Sequence, residues 1–282
     1  MFLRSFLAGV LVLGWMGIEV MAQVTTESGE VHKQALALYK QRQYREALKL
    51  FQKAVELDSS NAQALLGMGL CYKNLRKYDR AITAYEKALE INPSYTKVHA
   101  ALGYTWFVKG QYANAEKSYL NAIQSDSTFT QAYEVLGTIY LKQGQYDKAI
   151  SLSRKAIVVV PSAKIYKNLG TALAKKQMYK QAISAYQEAM KRSPKDSELH
   201  YRLADVFNKA GRYPEAVLEA QKSLKLRKGY TPALIALAEA YEQQGKIAKA
   251  IEEYTRAAQD VKWQQYAQYK IDALKKQMKK GG

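Results

Sequence analysis

Four side chains in this 282-residue chain could serve as nucleophile, general base or soft metal ligand: Cys71, His32, His99 and His200. Their spacing argues against all three roles. The histidines fall in different segments of a periodic pattern, and two of them occupy the same place in it. They read as structural residues. There is no HExxH motif, no paired-cysteine motif and no glycine-rich loop that could cradle a phosphate. Asp and Glu are scattered, with nothing to push one carboxyl up and a neighbour down. Cys71 sits among apolar residues and reads as a buried, inert thiol. A lone cysteine cannot form an internal disulfide. The expectation is a protein that is not an enzyme and needs no metal or cofactor.

The elements that position these residues follow from the period. Ala47, Ala81, Ala115 and Ala149 are 34 residues apart, Ala182 follows after 33, and Ala216 and Ala250 after 34 each. A fixed period of this length means stacked two-helix units. In the segment 62–95, Leu65, Met68, Gly69 and Tyr72 keep the spacing of one amphipathic helix. Tyr78, Ala81, Ile82, Tyr85, Ala88 and Leu89 mark a second, which Asn92-Pro93 ends. A small residue recurs in the first helix (Ala35, Gly69, Gly103, Gly137, Gly170, Ala204, Ala238), where the two helices approach closely. An aromatic opens the second helix at Tyr44, Tyr78, Tyr112, Tyr146, Tyr179 and Tyr213, with Ile247 in the last unit. A second small residue follows at Ala54, Ala88, Ala122, Ala156, Ala189, Ser223 and Ala257.

The turns carry their own signals. Gly110, Gly144, Gly211 and Gly245 sit just past first helices, where a left-handed C-cap suits glycine. Arg42, Arg76 and Gln177 stand at that place in other units. Pro93, Pro161 and Pro194 close second helices, while Ser59, Ser127 and Lys228 replace that proline. Pro214 and Pro232 fall in first turns, where proline is tolerated.

With these residues in register, the chain resembles the tetratricopeptide repeat (TPR) family over about residues 28–260. The resemblance implies an all-α fold, a right-handed superhelical solenoid of seven helix-turn-helix repeats. The units are expected at 28–61, 62–95, 96–129, 130–162, 163–196, 197–230 and 231–260. Residues 261–282 are expected to form a capping helix and basic tail, with Trp263, Tyr266, Ala267, Ile271, Leu274 and Met278 as its apolar stripe. Residues 1–22, with Arg4, a short apolar run and Ala22, read as a secretory signal peptide cut before Gln23. Residues 23–30 read as a flexible lead-in.

In this family first helices line the concave surface. The resemblance therefore implies a partner-binding groove with an apolar part (Leu66, Leu70, Tyr104, Phe107, Val108, Val135, Leu141) and a basic part (Lys164, Lys167, Asn168, Lys175, Arg202, Lys209). Tyr104 and Phe107 are the expected anchors. A peptide with hydrophobic side chains and an acidic segment suits such a surface. One family sub-type grips acidic C-terminal tails with Lys, Asn and Arg on successive first helices. Asn168 and Arg202 match it, but Glu134, Thr138 and Glu198 depart from it, so that assignment is not supported.

The net charge of +18 would raise nucleic acid as a partner in a cytosolic protein. Export to the periplasm or outer envelope turns the expectation away from nucleic acid. A protein-binding scaffold of the bacterial envelope is the leading expectation. The alternative is attachment to an anionic surface, lipid head groups or cell-wall polymer, through the basic surface and the run Lys275, Lys276, Lys279, Lys280.

Overall fold

The computed structural model describes Gln23 and residues 26–281. The signal segment expected over 1–22 lies outside the described residues. The described residues are almost wholly helical, as the periodicity predicts. A helix over 26–40 (α1) is followed by α2 (Tyr44–Leu57), α3 (Ala62–Asn74), α4 (Tyr78–Ile91), α5 (Thr96–Val108) and α6 (Tyr112–Ser125). Then come α7 (Thr130–Lys142), α8 (Tyr146–Val159), α9 (Ala163–Lys175), α10 (Tyr179–Arg192) and α11 (Ser197–Lys209). The chain continues through α12 (Tyr213–Leu226), α13 (Thr231–Gln243) and α14 (Ile247–Ala257) to α15 (Val261–Gly281). From α3 to α13, odd-numbered helices have 13 residues, and from α2 to α12 the even-numbered ones have 14. The chain forms two compact bodies, one ending at Ala132 and one beginning at Tyr133.

Each turn inside a unit is built alike. The amide of the third residue past the helix donates back to a carbonyl five residues earlier: Lys77 to Tyr72 (2.8 Å), Gln111 to Trp106 (2.9 Å), Gln145 to Tyr140 (2.8 Å), Arg212 to Phe207 (2.8 Å). This is the Schellman cap, which needs a residue with positive φ between the two ends. Glycine supplies it at Gly110, Gly144, Gly211 and Gly245. Arg42, Arg76 and Gln177 adopt φ of 61°, 59° and 59° at the same place. These three L-residues hold a conformation that disfavours a Cβ.

The lead-in is more ordered than the sequence suggests. Residues 26–30 are already the first turns of α1. Ser28 is fully buried, its hydroxyl donates to the Ala54 carbonyl (2.8 Å), and it accepts from Asn61 Nδ2 (2.9 Å).

In the first body the core runs through Val31, Ala35, Phe51, Leu65, Tyr72, Tyr85 and Val98. The small residues sit against rings, as close packing requires. A methyl group at Gly69 would overlap the Tyr85 ring, and one at Gly103 would come 3.0 Å from Tyr119. Gly67, which the repeat frame did not single out, stands against Phe51 of α2 in the same way.

In the second body Ala204, Leu234, Leu237, Tyr254, Ala267, Ile271 and Leu274 form a continuous core. Ala267, Ile271 and Leu274 belong to α15, and Trp263 packs beside them, so α15 covers the apolar end of the last unit. Met278 and Tyr266 do not share that burial; both are exposed. Polar bonds fix α15 as well. Lys270 Nζ lies 2.8 Å from Glu242 Oε1, and Tyr266 donates to Glu239 (2.9 Å).

Candidate functional site

Two stripes with the spacing i, i+4, i+7 face a common hollow in the first body. From α3 they are Leu66, Leu70 and Lys73; from α5 they are Lys97, Ala101 and Tyr104, with Ala100 beside them. Phe129 and Gln131 close one side. The hollow measures about 450 Å³, within the roughly 300–1,000 Å³ typical of ligand clefts. Tyr104 is 42% exposed although it is large and apolar. Lys73 Nζ sits over its ring, 5.3 Å from the centroid, a cation–π contact. Burial lowers the pKa of Lys73. None of the lining residues is acidic, and among the described residues neither Lys73 nor Lys97 has a carboxylate partner.

The structure thus brings Leu66, Leu70 and Tyr104 together, as the sequence suggests. Phe107 does not line the hollow, although its ring centroid lies 6.4 Å from that of Tyr104. It is half-buried, and its ring packs 5.9 Å from that of Tyr112, the residue that opens α6. Phe107 therefore helps to close its own unit. Val108 is 42% exposed at the end of α5, outside the hollow. Lys73, Lys97 and Phe129 were missed by sequence reasoning.

The basic part of the expected groove has another character. In the second body a smaller hollow of about 360 Å³ is lined by Thr138, Leu141, Lys142, Lys164, Lys167, Asn168, Thr171, Glu198 and Arg202. Carboxylates on neighbouring first helices take up Lys164 and Lys167, and Glu198 also takes up Arg202 of its own helix. Lys167 Nζ lies 2.9 Å from Glu198 Oε2, Arg202 lies 2.6 Å from Glu198 Oε1, and Lys164 lies 3.7 Å from Glu134. Burial pushes the Glu198 carboxyl up, but the bonds from Lys167 and Arg202 outweigh it and leave its pKa lowered. Lys209 pairs with Asp205 (2.6 Å). Lys175 is exposed, and Val135 is half-buried; neither lines the hollow. This surface is a ladder of ion pairs rather than a free basic strip.

Asn168 is a packing residue. It is 5% exposed, and Nδ2 donates to the Glu134 carbonyl on α7 (3.0 Å). The reason lies at position 153. Tyr85, Tyr119 and Tyr186 fill the space beside Gly69, Gly103 and Gly170, but the corresponding residue beside Gly137 is Ser153. The Asn168 carboxamide occupies the gap instead, 2.8 Å from where a Gly137 Cβ would stand. Gly137 therefore meets the next first helix, not the second helix of its own unit.

No catalytic constellation forms among the described residues. No three His, Cys, Asp or Glu come close enough to hold a metal ion, and no helix is long and apolar enough to cross a membrane. Cys71 is fully buried, and burial pushes its thiol up to about 12. This fits the inert thiol read from its neighbours. His32 packs on Phe51 with ring centroids 5.4 Å apart. His99 and His200 direct Nε2 at the carbonyls of Pro93 (2.8 Å) and Pro194 (3.2 Å).

Family models match three stretches: a tetratricopeptide repeat over residues 32–96, the tetratricopeptide repeat protein 21 C-terminal ARM domain over 117–235, and a tetratricopeptide repeat over 231–259. The chain belongs to the tetratricopeptide repeat proteins. Among solved TPR structures, the C-terminal part of a repeat-containing protein from Cytophaga hutchinsonii is 21% identical. The match covers 80% of this chain and 93% of that one, with a TM-score of 0.67. YrrB, described as a TPR protein with an unusual peptide-binding site, is 20% identical over 65% of this chain and 95% of its own, with a TM-score of 0.56. MamA is 24% identical over 56% and 93%, with a TM-score of 0.52. At these identities the likeness is one of fold. No curated protein matches the chain.

Proposed function

We propose that this TPR protein is a non-enzymatic scaffold that holds a peptide segment of a partner protein against α3 and α5. The observation that carries this reading is the apolar hollow between Leu66, Leu70 and Tyr104, where a large ring stands exposed on a two-helix wall. Exposed aromatics in a concave, preformed site are the usual anchors of binding. The description of YrrB as peptide-binding supports the same reading. The envelope is the proposed location, on the strength of the signal-like segment 1–22. Intact mass of the chain from its native host should begin at Gln23; a chain starting at Met1 overturns the cleavage.

The test of function is capture from an envelope extract by the full mature chain, repeated with Tyr104→Ala. Loss of the captured protein with unchanged helical circular dichroism is expected. Equal capture by both chains contradicts the reading. Loss of capture only when Lys275, Lys276 and Lys279 are changed to Gln would favour attachment to an anionic surface.

A further inference from the structure

We infer that the hollow between α3 and α5 selects peptides that carry a carboxylate beside an apolar side chain, with Lys73 and Lys97 as the residues that set this specificity. The inference rests on the peptide-binding reading above and adds the chemistry of the occupant. Three observations converge on it.

First, the lining combines apolar surface from Leu66, Leu70, Ala100, Ala101 and Tyr104 with two ammonium groups and no acid. A neutral or basic peptide would bury those lysines without compensation. Unpaired charge at a closing interface is costly, and this discriminates against wrong partners.

Second, Lys73 is held in place before anything binds. Its ammonium rests on the Tyr104 ring at 5.3 Å, from the neighbouring helix. A ring attracts a cation but leaves its hydrogen-bond donors unused, since an ammonium carries three and a π face satisfies none as a lone pair would. The lowered pKa of Lys73 reports this partly desolvated state. A carboxylate entering the hollow supplies the missing acceptors.

Third, the rest of the chain shows what these helices do with cations that need no partner. In the second body, Lys164, Lys167 and Arg202 on corresponding first helices are bound by Glu134 and Glu198. Lys167 and Glu198 are 31 residues apart. Lys73 and Tyr104 are separated by the same offset, so a tyrosine stands where a carboxylate would close an ion pair. Charge is neutralised internally in one hollow and left for a visitor in the other.

The experiment is a selection from a random twelve-residue peptide library displayed on phage. The full chain is the bait, and Tyr104→Ala is used to subtract peptides that bind elsewhere. The expected result is enrichment of Asp and Glu over Lys and Arg by threefold or more next to Leu, Phe or Tyr. A Lys73→Glu, Lys97→Glu chain should reverse that preference, and a synthetic selected peptide should lose tenfold or more in affinity when its acids become amides. If neutral or basic peptides are enriched and still depend on Tyr104, the hollow binds peptides but the charge assignment is wrong. If no peptide distinguishes the chain from Tyr104→Ala, both the assignment and the binding face fall. Should the double reversal not fold by circular dichroism, Lys73→Gln alone must still lower the acidic enrichment; unchanged enrichment there overturns the inference.

Discussion

His200 Nδ1 lies 2.6 Å from Glu219 Oε2, joining the first and second helices of one repeat, while His200 Nε2 points at the Pro194 carbonyl. Both partners accept hydrogen bonds, so the geometry favours a ring that donates from both nitrogens, the imidazolium form. The bond to Glu219 raises the His200 pKa above its ordinary 6.5 against the effect of burial. For Glu219, burial pushes the carboxyl up, and the bonds from His200 and Lys222 overcome it, leaving the pKa below 4.5. At His99, the same place in another unit, Ser118 stands where Glu219 does.

This pair makes stability depend on pH in a defined direction. The His200 contribution is fully present below about pH 6.5 and fades as the pH rises through its raised folded value. The Glu219 contribution is present above about pH 4.5 and fades as the pH falls through its lowered one. His200→Gln should therefore cost most between those limits, about 2–3 kcal/mol for a broken buried pair. The cost should shrink toward pH 9. Urea unfolding of both chains at pH 6 and pH 9 measures it; a constant difference would show that His200 is neutral in the folded chain.

Asn168 and Gly137 form a second linked pair. Asn168→Ala removes the bond to the Glu134 carbonyl and opens a void, costing about 1–2 kcal/mol. Gly137→Ala places a methyl 2.8 Å from Asn168 Nδ2, which should outweigh the gain of about 1 kcal/mol in helix propensity. In the double variant the new methyl occupies the space the amide leaves. The double should thus be more stable than the two single costs predict, by about 1 kcal/mol. Strict additivity in denaturant unfolding would mean that the two sites do not share this space.

Gln177 holds φ at 59° with a side chain that disfavours it. Gln177→Gly relieves that strain, offset in part by the greater freedom of the unfolded chain. A net gain of about 0.5–1 kcal/mol is expected. Gln177→Ala keeps the Cβ and should gain nothing. A loss in the glycine variant would place the turn in another conformation.

The fold was legible because the residues that build it recur. A small residue against a tyrosine, a positive-φ turn and an opening aromatic repeat at one spacing, and each repeat confirms the others. The site was less legible because it depends on what breaks the pattern. Ser153 replaces a tyrosine, and the consequence appears one unit later, where Asn168 turns inward to fill the gap beside Gly137. Lys164 and Lys167 read as free cations because their carboxylates come from neighbouring first helices, whereas Arg202 is held by Glu198 of its own helix. The 31-residue offset between Lys167 and Glu198 was the available signal. The same offset leads from Lys73 to Tyr104, which would have marked the hollow. Phe107 and Tyr104 share a face in a helical projection, but the Tyr112 ring claims one of them.

Binding at the α3–α5 hollow is tested most directly by titrating a labelled peptide, selected as above, into three chains: the native one, Tyr104→Ala and Leu218→Ala. Leu218 is 57% exposed on α12, far in sequence from the hollow. Fluorescence anisotropy should show an affinity loss of tenfold or more for Tyr104→Ala, about 1.4 kcal/mol, and native affinity for Leu218→Ala. Native affinity for Tyr104→Ala, or an equal loss at Leu218, would contradict the assignment of the binding face.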